Sequence, residues 1–172
     1  PRPCVEGSYS VLRREQGAAS VAAAMSVHPT GVTVVAGNDA DGSPYGLTVN
    51  SFTSLSLDPP LVLVCIGHTS TSHPRLVAAS SFTVNVLAGD QEEVAVRFSR
   101  DPSDGRFDDI GWRPSASGAP VLEGVAAWLD CSAYEILEGG DHSIVVGRVE
   151  RSLVTDRPAL LFHLGRLGST GT

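Results

Sequence analysis

Along the chain, apolar and polar residues alternate in short bursts, and turn-forming residues interrupt them every few positions. Residues 31–36 (GVTVVA) and 45–49 (YGLTV) are β-type segments. The polar stretch 38–44 (NDADGSP) between them has the composition that closes a hairpin, so the two segments are expected to pair. After the break at Asp58-Pro59-Pro60, residues 61–66 (LVLVCI) are continuously apolar, the pattern of a strand buried on both faces. Residues 82–87 (FTVNVL) predict another strand. Two long β-rich segments, 125–137 and 143–153, flank Glu138-Gly139-Gly140-Asp141-His142, and 159–164 is expected to be the last short strand. Helical patterns are few. Val11, Leu12, Ala18, Ala19, Ala22, Ala23 and Met25 line one stripe of an Ala-rich helix within residues 9–27, which Pro29 and Gly31 stop, and that helix is expected to pack on the core. A hydroxyl residue followed by Pro74 opens a short helix at 74–78, and 90–98 (DQEEVAVRF) is a helix with acidic residues in its first turn. Residues 101–117 are polar and irregular. Many strands at short spacing with few helices predict a mainly β protein, an antiparallel barrel with peripheral helices. Residues 1–10 are expected to be a flexible N-terminal arm or the remains of a longer terminus, and 11–172 a single domain.

Composition narrows the chemistry. A chain of 172 residues with 42% hydrophobic content builds one domain with a sizeable core. Its net charge of -7 repels a phosphate backbone, so nucleic acid is not an expected partner. All 12 basic residues are arginine; the absence of lysine disfavours Schiff-base chemistry and points to GC-rich, actinobacterial coding. Cys4, Cys65 and Cys131 are odd in number and widely spaced, which fits free thiols in a reducing compartment. With no apolar run near the ~20 residues that span a bilayer, the expected address is the cytoplasm, without membrane contact. His28, His68, His73 and His163 lack metal-binding spacing, so no metal is expected, and no G-x-G-x-x-G follows a strand, so no Rossmann unit is either.

Residues 48–56 are almost entirely Thr, Ser and Asn around the anchors Val49, Phe52 and Leu55, and they feed into the apolar 61–66 run. Such a segment offers hydrogen bonds to a flat polar ligand beside a rigid wall. On composition alone a Ser/Thr-rich loop before a core strand is an equal reading. Ser70, Thr71 and Ser72 stand before the short helix, where hydroxyls and main-chain N–H groups favour an anion.

Residues 46–66 (GLTVNSFTSLSLDPPLVLVCI) resemble the flavin-binding signature of the flavin reductase family of the FMN-binding split barrel, the reductase components of two-component flavin-dependent monooxygenases. Residues 28–35 (HPTGVTVV), 82–87 (FTVNVL) and the turn Gly140-Asp141-His142 with the strand after it resemble further family motifs, in the family's order. The resemblance implies an antiparallel split β-barrel with Greek-key character, paired as a homodimer. It implies an NAD(P)H:flavin oxidoreductase that passes a hydride from NADH or NADPH to dissociable FMN or FAD and supplies the reduced flavin to a partner monooxygenase.

On the family pattern, Thr48, Val49, Asn50, Ser51 and Ser54 contact the flavin, and Cys65 and Ile66 add ring or ribityl contacts. Ser70, Thr71 and Ser72 hold the phosphate, with charge from Arg75 or Arg106, and Phe98 matches an aromatic position near the cofactor. Cys65 is also readable as a buried thiol and Phe98 as a core anchor. His142 is the catalytic candidate on the nicotinamide side, with Asp141 and Gly165 beside it. The chain departs from many relatives in carrying His73 where they have tryptophan, and Leu167 where an aromatic residue is common. The alternative function is a flavin- or haem-binding carrier or sensor without turnover, against which the Gly140-Asp141-His142 turn argues.

Overall fold

The computed structural model describes residues 17–100 and 105–169. In chain order the elements are α1 (Ala18–Ser26), β1 (Thr30–Gly31), β2 (Thr33–Asn38), β3 (Pro44–Val49), β4 (Phe52–Leu57), β5 (Pro60–Gly67), α2 (His73–Ala78), β6 (Ser81–Val86), α3 (Glu92–Ser99), β7 (Trp112–Pro114), β8 (Pro120–Leu122), β9 (Ala127–Gly139), β10 (His142–Val154), β11 (Leu160–His163) and β12 (Arg166–Ser169). The expected 1–10 arm and the start of the first helix lie outside the described residues.

The main sheet has seven strands in the order β3-β2-β6-β9-β10-β5-β4, and every pair is antiparallel. Its two outer strands, β3 and β4, are consecutive in sequence and joined only by Asn50 and Ser51. A flat seven-strand sheet cannot satisfy that link, since strands lie about 4.8 Å apart; the sheet therefore curls until its edges approach. The packing agrees. Val35 of β2, Leu47 and Val49 of β3, Val62, Val64 and Ile66 of β5, Phe82 and Val84 of β6, Cys131 of β9 and Val145 of β10 share one buried cluster, which Leu76 of α2 completes. On the other face of β2, Val34 and Ala36 join Ala95 and Phe98 of α3, Leu122 of β8 and Leu160 of β11 in a second cluster.

The hairpin expected across residues 38–44 is present, with Val34 opposite Thr48. Other elements depart from the sequence pattern. The strand buried on both faces is β2, enclosed between the two cores, whereas β5 buries Val62, Val64 and Ile66 but leaves Leu63 and Cys65 half-covered. Residues 52–57, legible as loop, form β4 because β5 offers them a free edge. Within the irregular 101–117 region Trp112–Pro114 is a strand, paired with the unforeseen β8. The chain does not end its strands at 164: Leu164 and Gly165 turn the β11–β12 hairpin, both with positive φ. The described part of the helix expected to pack on the core, Ala18–Ser26, buries no residue in the single chain, and Val21 and Met25 stand exposed. Among the described residues no helix is long and apolar enough to cross a membrane, and no cluster of His, Cys, Asp and Glu is arranged to hold a metal.

Candidate functional site

The gap where β3 hands over to β4 opens into a cleft of about 380 Å³. Its lining includes Thr48, Val49, Asn50, Ser51, Cys65, Ile66, Ser70, Phe98, Arg106 and His142, residues scattered over almost a hundred positions of sequence. The curl of the sheet is what brings them together. β3 delivers Leu47 to Val49, the end of β5 delivers Cys65 to Gly67, and β10 begins with His142 directly opposite Gly67.

Hydrogen bonding divides these residues into those that build the wall and those left to face a ligand. Thr48 Oγ1 donates to the Ala95 carbonyl at 2.6 Å and ties β3 to α3. Ser51 Oγ donates to the Cys65 carbonyl at 2.8 Å and accepts from the Cys65 N–H at 3.2 Å, bridging the link to β5 where no ladder runs. Both hydroxyls therefore spend their protons on the frame. Asn50 is exposed at the link. Ser70 Oγ accepts from the Ser72 N–H at 3.3 Å.

Phe98 is fully buried, edge-on to Phe107 with ring centroids 4.9 Å apart, and forms the floor of the cleft as part of the second core. Gly46 lies directly over it: a Cβ there would stand 2.9 Å from Phe98 Cε1. Arg106 is buried, and its guanidinium donates to the Gly46 carbonyl at 2.6 Å and to the Arg100 carbonyl, so its charge serves the wall. Arg75 is occupied elsewhere, with Nε donating to Asp39 Oδ1 at 2.8 Å and its guanidinium 4.6 Å from the Tyr45 ring centroid.

His142 Nδ1 is 2.7 Å from Asp141 Oδ1. The hydrogen bond to His142, reinforced by its charge, holds the Asp141 carboxyl below its ordinary range. An ionised carboxylate accepts, so Nδ1 carries the proton and Nε2 is left as the variable nitrogen. The ring lies over Gly67, whose Cβ position would be 3.5 Å from Nε2.

Besides Arg75, five of the expected site residues do not line this cleft. Ser54 pairs with Val62, and β4 has by then run along β5 away from Cys65 and Ile66. Thr71 is exposed, and Ser72 is fully buried at the start of α2. Asp141 is an exposed turn residue that acts through His142, and Gly165 lines a neighbouring cavity of about 370 Å³ that shares Thr48, Asn50 and Ser99 with the cleft. Leu47, Gly67, Thr69 and Ser99 line the cleft and were not foreseen. Thr69 and Gly67 flank motif residues and follow once β5 is extended to Gly67, and Leu47 lies inside the 46–66 segment; Ser99 carries no signal in its local pattern.

The flavin reductase like domain family matches residues 25–171. A flavin-dependent monooxygenase reductase subunit from Rhodococcus jostii is 43% identical over 139 residues, covering 80% of this chain and 70% of that one. A stachydrine N-demethylase reductase subunit from Rhizobium meliloti is 44% identical over 126 residues, and those cover 73% of this chain but only 54% of that protein, so the chain spans about half its length. Among solved structures, the NADH:FAD oxidoreductase of Streptomyces globisporus in complex with NAD and FAD fragments superposes with a TM-score of 0.81 at 40% identity, over 87% of this chain and 90% of that one.

Proposed function

Because the chain belongs to the flavin reductase like domain family across residues 25–171, we propose that it is an NAD(P)H:flavin oxidoreductase. It passes a hydride from NADH or NADPH to FMN or FAD and yields the reduced flavin to a separate monooxygenase. The observation that carries this is a single cleft in which the Thr48–Ser51 segment, the end of β5 and His142 face one another. An isoalloxazine ring has apolar faces and an amide-like edge, and a cleft of about 380 Å³ lies within the range of small-molecule sites. Leu47, Val49, Ile66 and Phe98 suit the faces, while the main chain at Asn50 and Ser51 suits the edge. Thr69 and Ser70 are the hydroxyl residues of the 68–72 loop that suit a phosphate, a role narrower than the Ser70–Ser72 set.

When bound, the flavin supplies the hydride-accepting centre. The protein's part is to bind, orient and stabilise. Fixed N–H dipoles at the link favour negative charge on the polar edge without reorganisation. His142, oriented by Asp141 through Nδ1, directs Nε2 toward the nicotinamide and fixes its approach. Gly165, in the adjoining cavity, belongs to the same donor side.

The fold that goes with this function is a split barrel of Greek-key character, supported by a seven-strand sheet whose edge strands are joined through two residues. A homodimer is supported by apolar side chains exposed in the single chain: Leu57 at 92%, Val154 at 80% and Tyr134 at 53%, with Ile136 and Leu153 beside them in sequence. Free Cys65 and Cys131 are in keeping with a cytoplasmic setting.

Mixing the purified chain with FMN or FAD and NADH or NADPH, while following nicotinamide absorbance, tests the activity. Flavin-dependent oxidation is expected. Flavin binding without oxidation would favour a carrier or sensor, and no binding at all would remove the proposal. Light scattering of the wild type and of Ile136→Asp tests the dimer, which the variant is expected to dissociate.

A further inference from the structure

We infer that Ser143 is a positioning residue that clamps the 68–72 loop to β10 through His68 and His73 and thereby holds Thr69 and Ser70 at the cleft. The placement of a ligand there rests on the function proposed above; the clamp itself rests on geometry. Ser143 is 3% exposed, so its hydroxyl has to find partners inside the protein. It has two. His73 Nε2 lies 2.9 Å from Ser143 Oγ and His68 Nε2 lies 3.3 Å from it. The two imidazoles come from opposite ends of the loop and meet edge to face, with centroids 5.0 Å apart and planes at 71°. Between them the chain presents Thr69 and Ser70 to the cleft.

A hydroxyl has one proton and two lone pairs. It can donate to one ring nitrogen only, so at least one of the two histidines has to present Nε2–H to Ser143. One buried oxygen thus sets the orientation of both imidazoles and fixes both ends of the loop at a single point. Glu138 Oε2, 3.8 Å from His68 Nε2 and largely exposed, is a weaker second contact for the outer ring. Alanine in place of Ser143 would remove the shared anchor but not the main-chain bonds from His68 N to Asp141 O at 3.0 Å and from His73 N to Ser70 O at 3.0 Å. The loop would loosen without detaching.

The test uses the whole chain as Ser143→Ala, Ser143→Thr, His73→Ala and the Ser143→Ala/His73→Ala double variant. Amide hydrogen exchange without flavin and steady-state KM for flavin are the two readouts. In Ser143→Ala, exchange at Ser70, Ser72 and His73 is expected to speed up by about threefold to tenfold, the scale of one or two lost hydrogen bonds, with β5 and β6 unchanged. The flavin KM should rise by a similar factor, threonine should restore both, and the double variant should be no worse than Ser143→Ala alone, since His73→Ala leaves the His68 contact in place. Unchanged loop exchange in Ser143→Ala, additive losses in the double variant, or failure of threonine to rescue would overturn the clamp. Should Ser143→Ala not fold, His73→Ala alone decides by the same exchange. If the wild type reduces no flavin, the proposed function falls while the exchange measurements still judge Ser143.

Discussion

Gly46→Ala tests whether the floor of the cleft is as tightly fitted as it looks. The added Cβ would lie 2.9 Å from Phe98 Cε1, 3.1 Å from Phe98 Cδ1 and 3.1 Å from the Val35 carbonyl oxygen. None of these can yield easily: the carbonyl belongs to the neighbouring strand, and Phe98 is fully buried with its ring set against Phe107. Overpacking of this kind costs about 1–3 kcal/mol. Against it stands a gain of about 0.4–1 kcal/mol, because alanine has less conformational freedom to lose on folding than glycine. Over nearly all of these ranges the steric cost wins, leaving a net loss of up to about 2.6 kcal/mol, or up to roughly 10 °C in Tm for a domain of this size. Pushing Phe98 down also disturbs the apolar floor and should weaken flavin binding. Gly31→Ala is the control, since nothing lies within 4 Å of its Cβ position and it is absent from the positive-φ glycines. Urea denaturation and flavin-fluorescence titration of both variants measure the difference. If Gly46→Ala proves as stable as Gly31→Ala and binds flavin like the wild type, the close fit is refuted.

Asn85 donates through Nδ2 to the Val34 and Pro120 carbonyls and to Thr83 Oγ1, and accepts from the Leu122 N–H at 2.9 Å. Asn85→Ala should therefore cost about 2–4 kcal/mol in denaturant unfolding, and a loss below 1 kcal/mol would show that β8 does not depend on it. Arg75→Ala breaks a partly exposed ion pair with Asp39 and the stacking on Tyr45, so stability should fall by about 0.5–1.5 kcal/mol. Its flavin Kd should not move; a rise of about tenfold would return this guanidinium to the phosphate. The Asp141 carboxyl titrates below its ordinary 3.8, so its pairing with His142 should persist above that value and vanish as pH falls through the lower folded midpoint. Carbon NMR titration should find the midpoint raised toward its ordinary value in His142→Ala, and an unchanged midpoint would remove the pair. The same variant should raise nicotinamide KM, and full turnover at unchanged nicotinamide affinity would take His142 out of the site.

The sheet was largely legible because its strands carry their own signals: branched apolar runs at 61–66 and 82–87, and turn residues at 38–44. What local pattern could not reveal was set by tertiary partners. Residues 52–57 look like loop until β5 supplies an edge for them to pair with, and 120–122 is too short to announce a strand without Asn85 to hold it. Ten of the fourteen described residues that line the cleft are named on the resemblance to a known family, but their duties are not legible from it. Nothing in a row of hydroxyls tells that Thr48 is spent on α3 and Ser51 on β5, or that buried Arg106 faces main-chain carbonyls. Ser143 carries no local signal of its role, because its partners lie 70 and 75 positions away.

The two-residue seam between β3 and β4 has a consequence for how such a protein can change over time. Along a fully zipped cylinder every amide would be committed to a neighbouring strand; at a seam, main-chain donors and acceptors are left for water or a guest to satisfy. Recognition by peptide groups does not depend on which side chain sits there, so the letter at position 50 can drift while the Ser51 hydroxyl keeps the link tied to β5. Specificity for what enters is then free to be rewritten along the rim, without disturbing the ladders of the curled sheet.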